Sequence, residues 1–118
     1  MKVGIIGAGL QGEACANILA RDSQISDIYL SDISIDKLEM CQKRINSGKV
    51  KINIVDAKNQ SEVINFLKKC DICIDMTLPE YCPYIMKAAL EVGIDYINTA
   101  YDTPFWENIV SRRWVIFR

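Results

Sequence analysis

Histidine is absent from this chain of 118 residues. Histidine is the commonest general base and the commonest zinc ligand, so its absence excludes catalysis by a histidine base and zinc sites with histidine ligands within this chain. The net charge is −1, from 14 basic and 15 acidic residues, so there is no electrostatic footprint for nucleic acid or for an anionic membrane. Apolar residues never run for the roughly 20 positions of a membrane-spanning helix. Gln11 and Glu13 interrupt the apolar start where a secretory leader would continue, and a soluble, cytoplasmic protein is expected.

The five cysteines are an odd number, which predicts reduced thiols rather than a disulfide framework. Cys70 and Cys73 form a CxxC motif, a spacing that can hold metal or carry redox chemistry. The surrounding DICIDM is typical of a strand, in which positions three apart face opposite sides of the sheet. No second CxxC is present to complete a zinc site. We therefore expect two buried core residues and no metal site.

Short β-branched runs alternate with helical periodicities along the first hundred residues. Strands are predicted over 2–6, 27–31, 50–55, 71–76 and 94–98. Helices are predicted over 11–21 and 35–45, after Asn59, and after Pro79 as far as Gly93. Such alternation with short loops predicts a parallel sheet covered by helices on both faces. Right-handed crossovers then give a single-domain, doubly wound α/β/α architecture of the Rossmann type, with five to six strands.

Three local details of these helices are also predicted. The first helix is expected to bury one face, formed by Ala14, Cys15, Ile18 and Leu19. Ser47 and Gly48 are expected to end the second helix. Asn59, with Glu62 three residues later, resembles a capping box at the start of the third.

The loop between the first strand and the first helix, GAGLQG, holds three of the six glycines. Gly7, Gly9 and Gly12 have the G-x-G-x-x-G spacing that lets a backbone approach a pyrophosphate. In that motif the first glycine permits the tight turn, the second leaves room for the phosphates, and the third lets the helix pack on the strand. The N–H groups of Leu10 and Gln11, at the positive end of the helix dipole, are the predicted phosphate donors.

An acidic residue about 20 positions after the glycines is the second mark of a dinucleotide site. Asp32 ends the second predicted strand 20 residues after Gly12, where it can accept both ribose hydroxyls of the adenosine. A carboxylate at this position repels the 2′-phosphate of NADP, and the following Ile33 and Ser34 supply no arginine. NAD is therefore predicted in preference to NADP, although Lys37 lies one helical turn further on.

Two more strand ends are expected to border the same ligand, because ligands of open α/β sheets lie outside the carboxyl ends of the strands. Asp56 and Ala57 follow the third strand and are expected beside the adenine, with a solvated turn as the alternative for Asp56. Thr77, Leu78 and Pro79 follow the fourth strand and are expected beside the nicotinamide-side ribose. They also form the turn before the next helix.

Five segments occur together in this chain: MKVGIIGAGLQG, the Asp32 strand end, VDAKN, DMTLPE and above all YIMKAALEVGIDYINTAYD. Together, over residues 1–105, they resemble the N-terminal NAD(P)-binding domain of the saccharopine dehydrogenase and lysine dehydrogenase family. The resemblance implies an oxidoreductase of amino-acid metabolism that acts on the CH–NH group of an amino-acid-derived amine. It also implies that Thr99, Ala100 and Tyr101, with Asp102, lie near the nicotinamide and the substrate.

Family members continue with a substrate-binding, often dimer-forming portion to which residues 106–118 do not correspond. We therefore expect a C-terminal tail that is truncated relative to the family. The chain alone is expected to bind cofactor without turnover and to hold no catalytic residue, because hydride transfer needs both halves of a cleft. A small amino-acid-like substrate then belongs to a full-length form. The unpaired edge of the last strand and the apolar tail also favour a homodimer.

Two other interpretations remain open on the residues alone. One is a stand-alone NAD-responsive regulatory module, which shares the strand, the glycine turn and the strand-end acid. Such modules usually follow the third strand with a glycine–aspartate pair, whereas this chain has Val55 and Asp56. The other is a structural remnant whose glycine loop no longer binds nucleotide.

Overall fold

The computed structural model describes residues 1–100 of the chain, so the predictions for Tyr101, for Asp102 and for the tail lie outside the described residues. Strands and helices alternate throughout: β1 (Lys2–Ile6), α1 (Leu10–Leu19), β2 (Asp27–Asp32), α2 (Ile35–Ile45), β3 (Val50–Ile54), α3 (Gln60–Leu67), β4 (Ile72–Asp75), α4 (Cys82–Val92) and β5 (Asp95–Asn98). The predicted order of elements is confirmed. No helix within this described range is long and apolar enough to cross a lipid bilayer.

All five strands are parallel and form one sheet in the order β3-β2-β1-β4-β5. From β1 the chain moves outward through β2 and β3, and then continues on the other side of β1 with β4 and β5. The direction of winding therefore reverses between β1 and β4, and a crevice opens there at the carboxyl ends of the strands. The predicted doubly wound parallel sheet is confirmed.

Each face of the sheet has its own hydrophobic core. On one face α1 and α2 pack against Ile5 of β1 and its neighbours on β2. On the other face α3 and α4 pack against Ile6 of β1 and Cys73 of β4. Because successive residues of a strand point to opposite faces, β1 supplies both cores. The result is the predicted three-layer α/β/α arrangement.

The buried face of α1 differs from the prediction. Ala14 is exposed and Ile18 is 69% exposed, whereas Gly12 and Ala16 are buried. A Cβ atom at Gly12 would lie 1.8 Å from the carbonyl oxygen of Gly7. The helix therefore approaches the end of β1 so closely that only small residues fit the contact. Cys15 and Leu19 are half-buried against the same core, so the prediction is right for these two residues and wrong for Ala14 and Ile18.

The ends of α2 and α3 correct two smaller predictions. Asn59 caps α3 as expected, since its Oδ1 accepts a hydrogen bond from the N–H of Glu62 at 3.2 Å. The Glu62 carboxylate, however, accepts from the N–H of Asp56 at 3.4 Å rather than completing a capping box. The C-cap of α2 is Asn46, which adopts a left-handed conformation with φ of 51° and directly precedes the predicted Ser47 and Gly48.

The cysteines are free thiols. Cys70 and Cys73 are 6% and 0% exposed, which confirms the expected burial. Both cysteines belong to the same hydrophobic core, so the prediction that they face opposite sides of the sheet is wrong. Cys70 lies before β4, and the alternation of side chains along a strand does not apply to it. Burial raises the pKa of the Cys70 thiol to about 11. Within residues 1–100, no group of three or more cysteine or acidic side chains is placed to hold a metal ion.

Candidate cofactor-binding site

A cavity of about 980 Å³ lies at the carboxyl edge of the sheet, and the loops that follow all five strands form its walls. Of the predicted site residues, these line it: Gly7, Gly9, Gln11, Asp32, Ile33, Asp56, Ala57, Thr77, Leu78, Pro79, Thr99 and Ala100. Residues that are far apart in sequence therefore meet around one space. Its volume is in the range of small-molecule and cofactor pockets.

The glycine loop brings backbone, rather than side chains, to the cavity. Gly7 has φ of +107°, and a Cβ there would lie 2.9 Å from the carbonyl oxygen of Met76, so the loop passes tightly over the end of β4. Gly9 is the N-cap of α1 and provides no side-chain cap, while a Cβ on it would meet no atom within 4 Å. Gly9 therefore leaves open space in front of an uncapped helix N-terminus, which is an arrangement suited to an anion.

Two of the predicted site residues in the glycine loop, Leu10 and Gly12, do not line the cavity. Leu10 is 86% exposed, and the group predicted to bind phosphate is its backbone N–H, which belongs to the first turn of α1. Gly12 is buried and holds α1 against the Gly7 carbonyl. Gly12 thus supports the loop from behind.

Asp32, at the end of β2, is fixed by two backbone hydrogen bonds. Its Oδ2 accepts from the N–H of Ala8 at 2.8 Å, and its Oδ1 accepts from the N–H of Ser34 at 2.9 Å. The carboxylate therefore ties the glycine loop to the start of α2, and each oxygen retains a further lone pair for a ligand. Lys37, in the first turn of α2, lines the same part of the cavity.

The loop after β3 is a turn organised by Asp56. Its Oδ1 accepts from the N–H of Lys58 at 3.0 Å, and its carbonyl accepts from the N–H of Asn59 at 2.9 Å. Asp56 thus forms the turn named as the alternative and also lines the cavity. Lys58 and Tyr81 line it too, with the Lys58 Nζ 5.4 Å from the centre of the Tyr81 ring. Neither was predicted, because nothing local in the sequence relates the two loops.

A buried polar network supports the opposite wall. Asp75, the last residue of β4, is 0% exposed. Its Oδ1 accepts from the N–H of Thr77 at 2.9 Å and from the Thr77 hydroxyl at 2.6 Å. The Tyr96 hydroxyl donates to its Oδ2 at 2.5 Å, and the Asn98 amide donates to the Tyr96 hydroxyl at 3.1 Å. Sequence reasoning missed Asp75, because the strand pattern placed it in the sheet and only the pairing of β4 with β5 joins it to Tyr96.

The protonatable neighbours of Asp75 stay protonated. Burial, together with the negative charge of Asp75, raises the pKa of Tyr96 far above the usual range of tyrosine. Burial and the same charge raise the pKa of the Cys82 thiol to about 12. At neutral pH the tyrosine therefore keeps the proton that it donates to Asp75, and the thiol is not a nucleophile.

The end of β5 closes the cavity against α1. The Thr99 hydroxyl donates to Oε1 of Gln11 at 3.5 Å, and both residues line the cavity together with Ala100. This contact spans the crevice between the first turn of α1 and the last described strand.

A doubly wound sheet, a glycine turn that opens onto an uncapped helix, and a strand-end carboxylate bonded to that turn define a dinucleotide-binding domain. The family model described as "Saccharopine dehydrogenase NADP binding domain" matches residues 3–113. The chain belongs to this family, and the family resemblance predicted from its sequence is confirmed.

One relative and two solved structures illustrate the similarity. Carboxyaminopropylagmatine dehydrogenase of Synechocystis is 35% identical over 106 residues, which are 87% of this chain and 27% of that protein. The chain therefore spans about a quarter of that relative. Saccharopine dehydrogenase (L-Glu forming) of Saccharomyces cerevisiae superposes with a TM-score of 0.79 at 18% identity, over 92% of this chain and 23% of that one. A yeast methylglyoxal/isovaleraldehyde reductase, complexed with NADPH, superposes with a TM-score of 0.75 at 13% identity, over 98% of this chain and 50% of that one. These two structures share the fold.

Proposed function

We propose that the cavity binds a nicotinamide dinucleotide, with the pyrophosphate on the N–H groups of Leu10 and Gln11. The observation that carries the proposal is the open space at Gly9. Its φ of −77° is available to any residue, and no neighbour would obstruct a Cβ. Neither the fold nor the packing thus requires glycine there, whereas close approach of a phosphate does.

The remaining predicted residues contact successive parts of the dinucleotide along the carboxyl edge of the sheet. Asp32 accepts the adenosine ribose hydroxyls, and Ile33, Asp56 and Ala57 border the adenine. Thr77, Leu78 and Pro79 border the nicotinamide-side ribose. Thr99 and Ala100 lie towards the nicotinamide, as the resemblance also implies for Tyr101, which is outside the described residues.

NAD is proposed as the preferred cofactor, although the family is described as NADP-binding. The Asp32 carboxylate is held from both oxygens by backbone N–H groups, so it cannot turn away from a 2′-phosphate. Lys37 can offset part of this repulsion, but its side chain is long and flexible and loses rotamer entropy when it is fixed.

Calorimetric titration with NAD and NADP tests both parts of this proposal. We expect NAD to bind about tenfold more tightly than NADP, and Asp32→Ala to narrow that ratio by weakening NAD binding. Asp36→Asn, an exposed change in the first turn of α2, is the control and should leave the ratio within about twofold. No binding of either cofactor at millimolar concentration would support the remnant interpretation, and tighter binding of NADP would overturn the preference.

For the full-length protein we infer hydride transfer between the nicotinamide and the CH–NH group of an amino-acid-derived amine. The family assignment and the name of the 35% identical relative support this inference. We infer that residues 1–105 form the nucleotide-binding domain, that residues 106–118 form a C-terminal tail, and that no catalytic residue lies among the 118. The isolated chain is therefore expected to show no NAD reduction with lysine or saccharopine. Measurable turnover would contradict the inference that the chain holds no catalytic residue.

Two further proposals concern the setting of the protein. We place it in the cytoplasm, because its cysteines are free thiols. We also propose a homodimer through β5, which pairs only with β4 among the described strands and carries the half-exposed Ile97. Sedimentation velocity at high concentration would contradict the dimer if it showed only monomer.

A further inference from the structure

We propose that the buried Asp75 carboxylate makes this cavity bind the oxidised, positively charged nicotinamide more tightly than the reduced, neutral one. The inference rests on the proposed function, since it requires that a dinucleotide lie with its nicotinamide side towards Thr77. It concerns a residue that does not itself line the cavity.

The hydrogen bonds around Asp75 match an ionised carboxylate. The N–H of Thr77 can only donate, and the Thr77 hydroxyl lies 2.6 Å from the same oxygen. The Tyr96 hydroxyl receives a hydrogen bond from Asn98, so its own proton is directed to the other oxygen of Asp75. An ionised carboxylate accepts all of these hydrogen bonds at once.

No cation neutralises this charge within the described part of the chain. The ion pairs among residues 1–100 join Arg44 to Glu13 and Lys51 to Asp27, and neither includes Asp75. An unpaired charge that is 0% exposed is poorly screened by water and salt, so its field extends into neighbouring space. Met76 and Thr77, the two residues that follow Asp75, both line the cavity. Asp75 therefore adjoins two residues of the cavity wall, and its field extends to the cavity.

The charges that line the cavity itself lie on the other side. They are Asp32, Lys37, Asp56 and Lys58, and all four follow β2 or β3. Two carboxylates and two ammonium groups line that side, so its formal charges sum to zero. Along β4 and the loop after it, Asp75 supplies negative charge without a described cationic partner. The cavity is thus negative on its nicotinamide side.

This asymmetry distinguishes the two redox forms of the cofactor. The oxidised ring is a cation, and addition of a hydride, which is one proton and two electrons, makes it neutral. A fixed negative charge therefore stabilises the oxidised form alone. For unit charges on the order of 10 Å apart at an effective dielectric constant of ~20, the attraction corresponds to about tenfold in affinity.

The variant Asp75→Asn removes the charge and keeps an acceptor oxygen for Thr77. Calorimetric dissociation constants for NAD⁺ and NADH are compared in the unmodified chain and in the variant. We expect the ratio Kd(NADH)/Kd(NAD⁺) to fall about tenfold in the variant. Asp95→Asn is the matched control, because Asp95 is exposed and begins β5, at the amino ends of the strands and away from the cavity. It should leave the ratio within about twofold.

The outcomes separate this inference from the proposed function. An Asp75→Asn variant that binds both forms with the original ratio overturns the inference and leaves the cofactor site intact. Failure of the unmodified chain to bind any dinucleotide defeats the proposed function first. If circular dichroism shows that Asp75→Asn does not fold, the unmodified chain decides: tighter binding of NAD⁺ supports the inference, and tighter binding of NADH overturns it.

Discussion

At the ends of β2 and β3 the cavity wall contains half-buried carboxylates bonded to backbone N–H groups. At the ends of β4 and β5 the wall is supported by a buried carboxylate that accepts hydrogen bonds from side chains. Asp32 bonds to Ala8 and Ser34, and Asp56 bonds to Lys58. Asp75 also accepts from one backbone N–H, that of Thr77, but its other bonds come from the Thr77 and Tyr96 hydroxyls. We call these parts the backbone-held wall and the side-chain-held wall.

The two walls are expected to respond differently to mutation. In the backbone-held wall the polar groups reach water, so loss of a side chain is partly compensated by solvent and affects the ligand more than the fold. In the side-chain-held wall an unsatisfied group has no access to water and costs its full desolvation penalty. Ligand affinity should therefore report on the first wall, and the free energy of unfolding on the second.

The largest effect is expected at Gly12, which lies outside both walls and holds α1 against the glycine loop. Gly12→Ala would place a Cβ 1.8 Å from the Gly7 carbonyl oxygen, so α1 would have to move away from β1. We expect a loss of about 3–5 kcal/mol in the free energy of unfolding, measured by urea denaturation. A loss below about 1 kcal/mol would show that the helix contact yields easily.

A smaller loss is expected in the side-chain-held wall. Tyr96→Phe removes the hydroxyl that donates to the buried Asp75, and we expect a loss of about 2 kcal/mol in the free energy of unfolding. Tyr84→Phe is the matched control, because Tyr84 is 49% exposed and should lose less than about 0.5 kcal/mol. Equal losses in the two variants would remove the distinction between the walls.

Gly9→Ala should sharpen the comparison by separating affinity from stability. The added Cβ meets no protein atom within 4 Å, so the free energy of unfolding should change by less than about 1 kcal/mol. The methyl group occupies the space proposed for the pyrophosphate, and NAD affinity should fall about tenfold, or about 1.4 kcal/mol. Unchanged affinity in calorimetry would argue against the proposed position of the phosphates.

The smallest effect is expected at alkaline pH, from Cys82 beside Asp75. The pKa of its thiol is raised from 9.0 to about 12 in the folded chain. Above pH 9 the thiol therefore loses its proton in the unfolded chain before it does so in the folded chain, which favours unfolding. The stability that the protonated thiol contributes is complete below pH 9 and is lost as the pH rises towards 12. Between pH 8 and pH 10, Cys82→Ala should therefore lose less unfolding free energy than the unmodified chain, by at most about 1 kcal/mol. Identical losses in urea denaturation at both pH values would contradict this contribution.

Most of the fold and the backbone-held wall could be predicted from local pattern. Strand and helix periodicities repeat within a few residues, and the glycine spacing and Asp32 mark one strand–turn–helix unit and the next strand end. The side-chain-held wall could not be predicted in this way. Asp75 and Tyr96 meet because β4 and β5 pair in register, with Asp75 opposite Asn98, and no spacing rule relates residues on two different strands.

The sequence by itself determined the order of elements, the parallel sheet and the position of the glycine turn, because these depend on residues near one another along the chain. Tertiary structure alone decided which face of α1 is buried, since Gly12 and Ala16 are selected by the close approach to β1 rather than by hydrophobicity. It also decided that Asp75 is buried and surrounded by donors. Burial and hydrogen bonding are properties of neighbours in space, and the packing of β4, β5 and α4 brings those neighbours together.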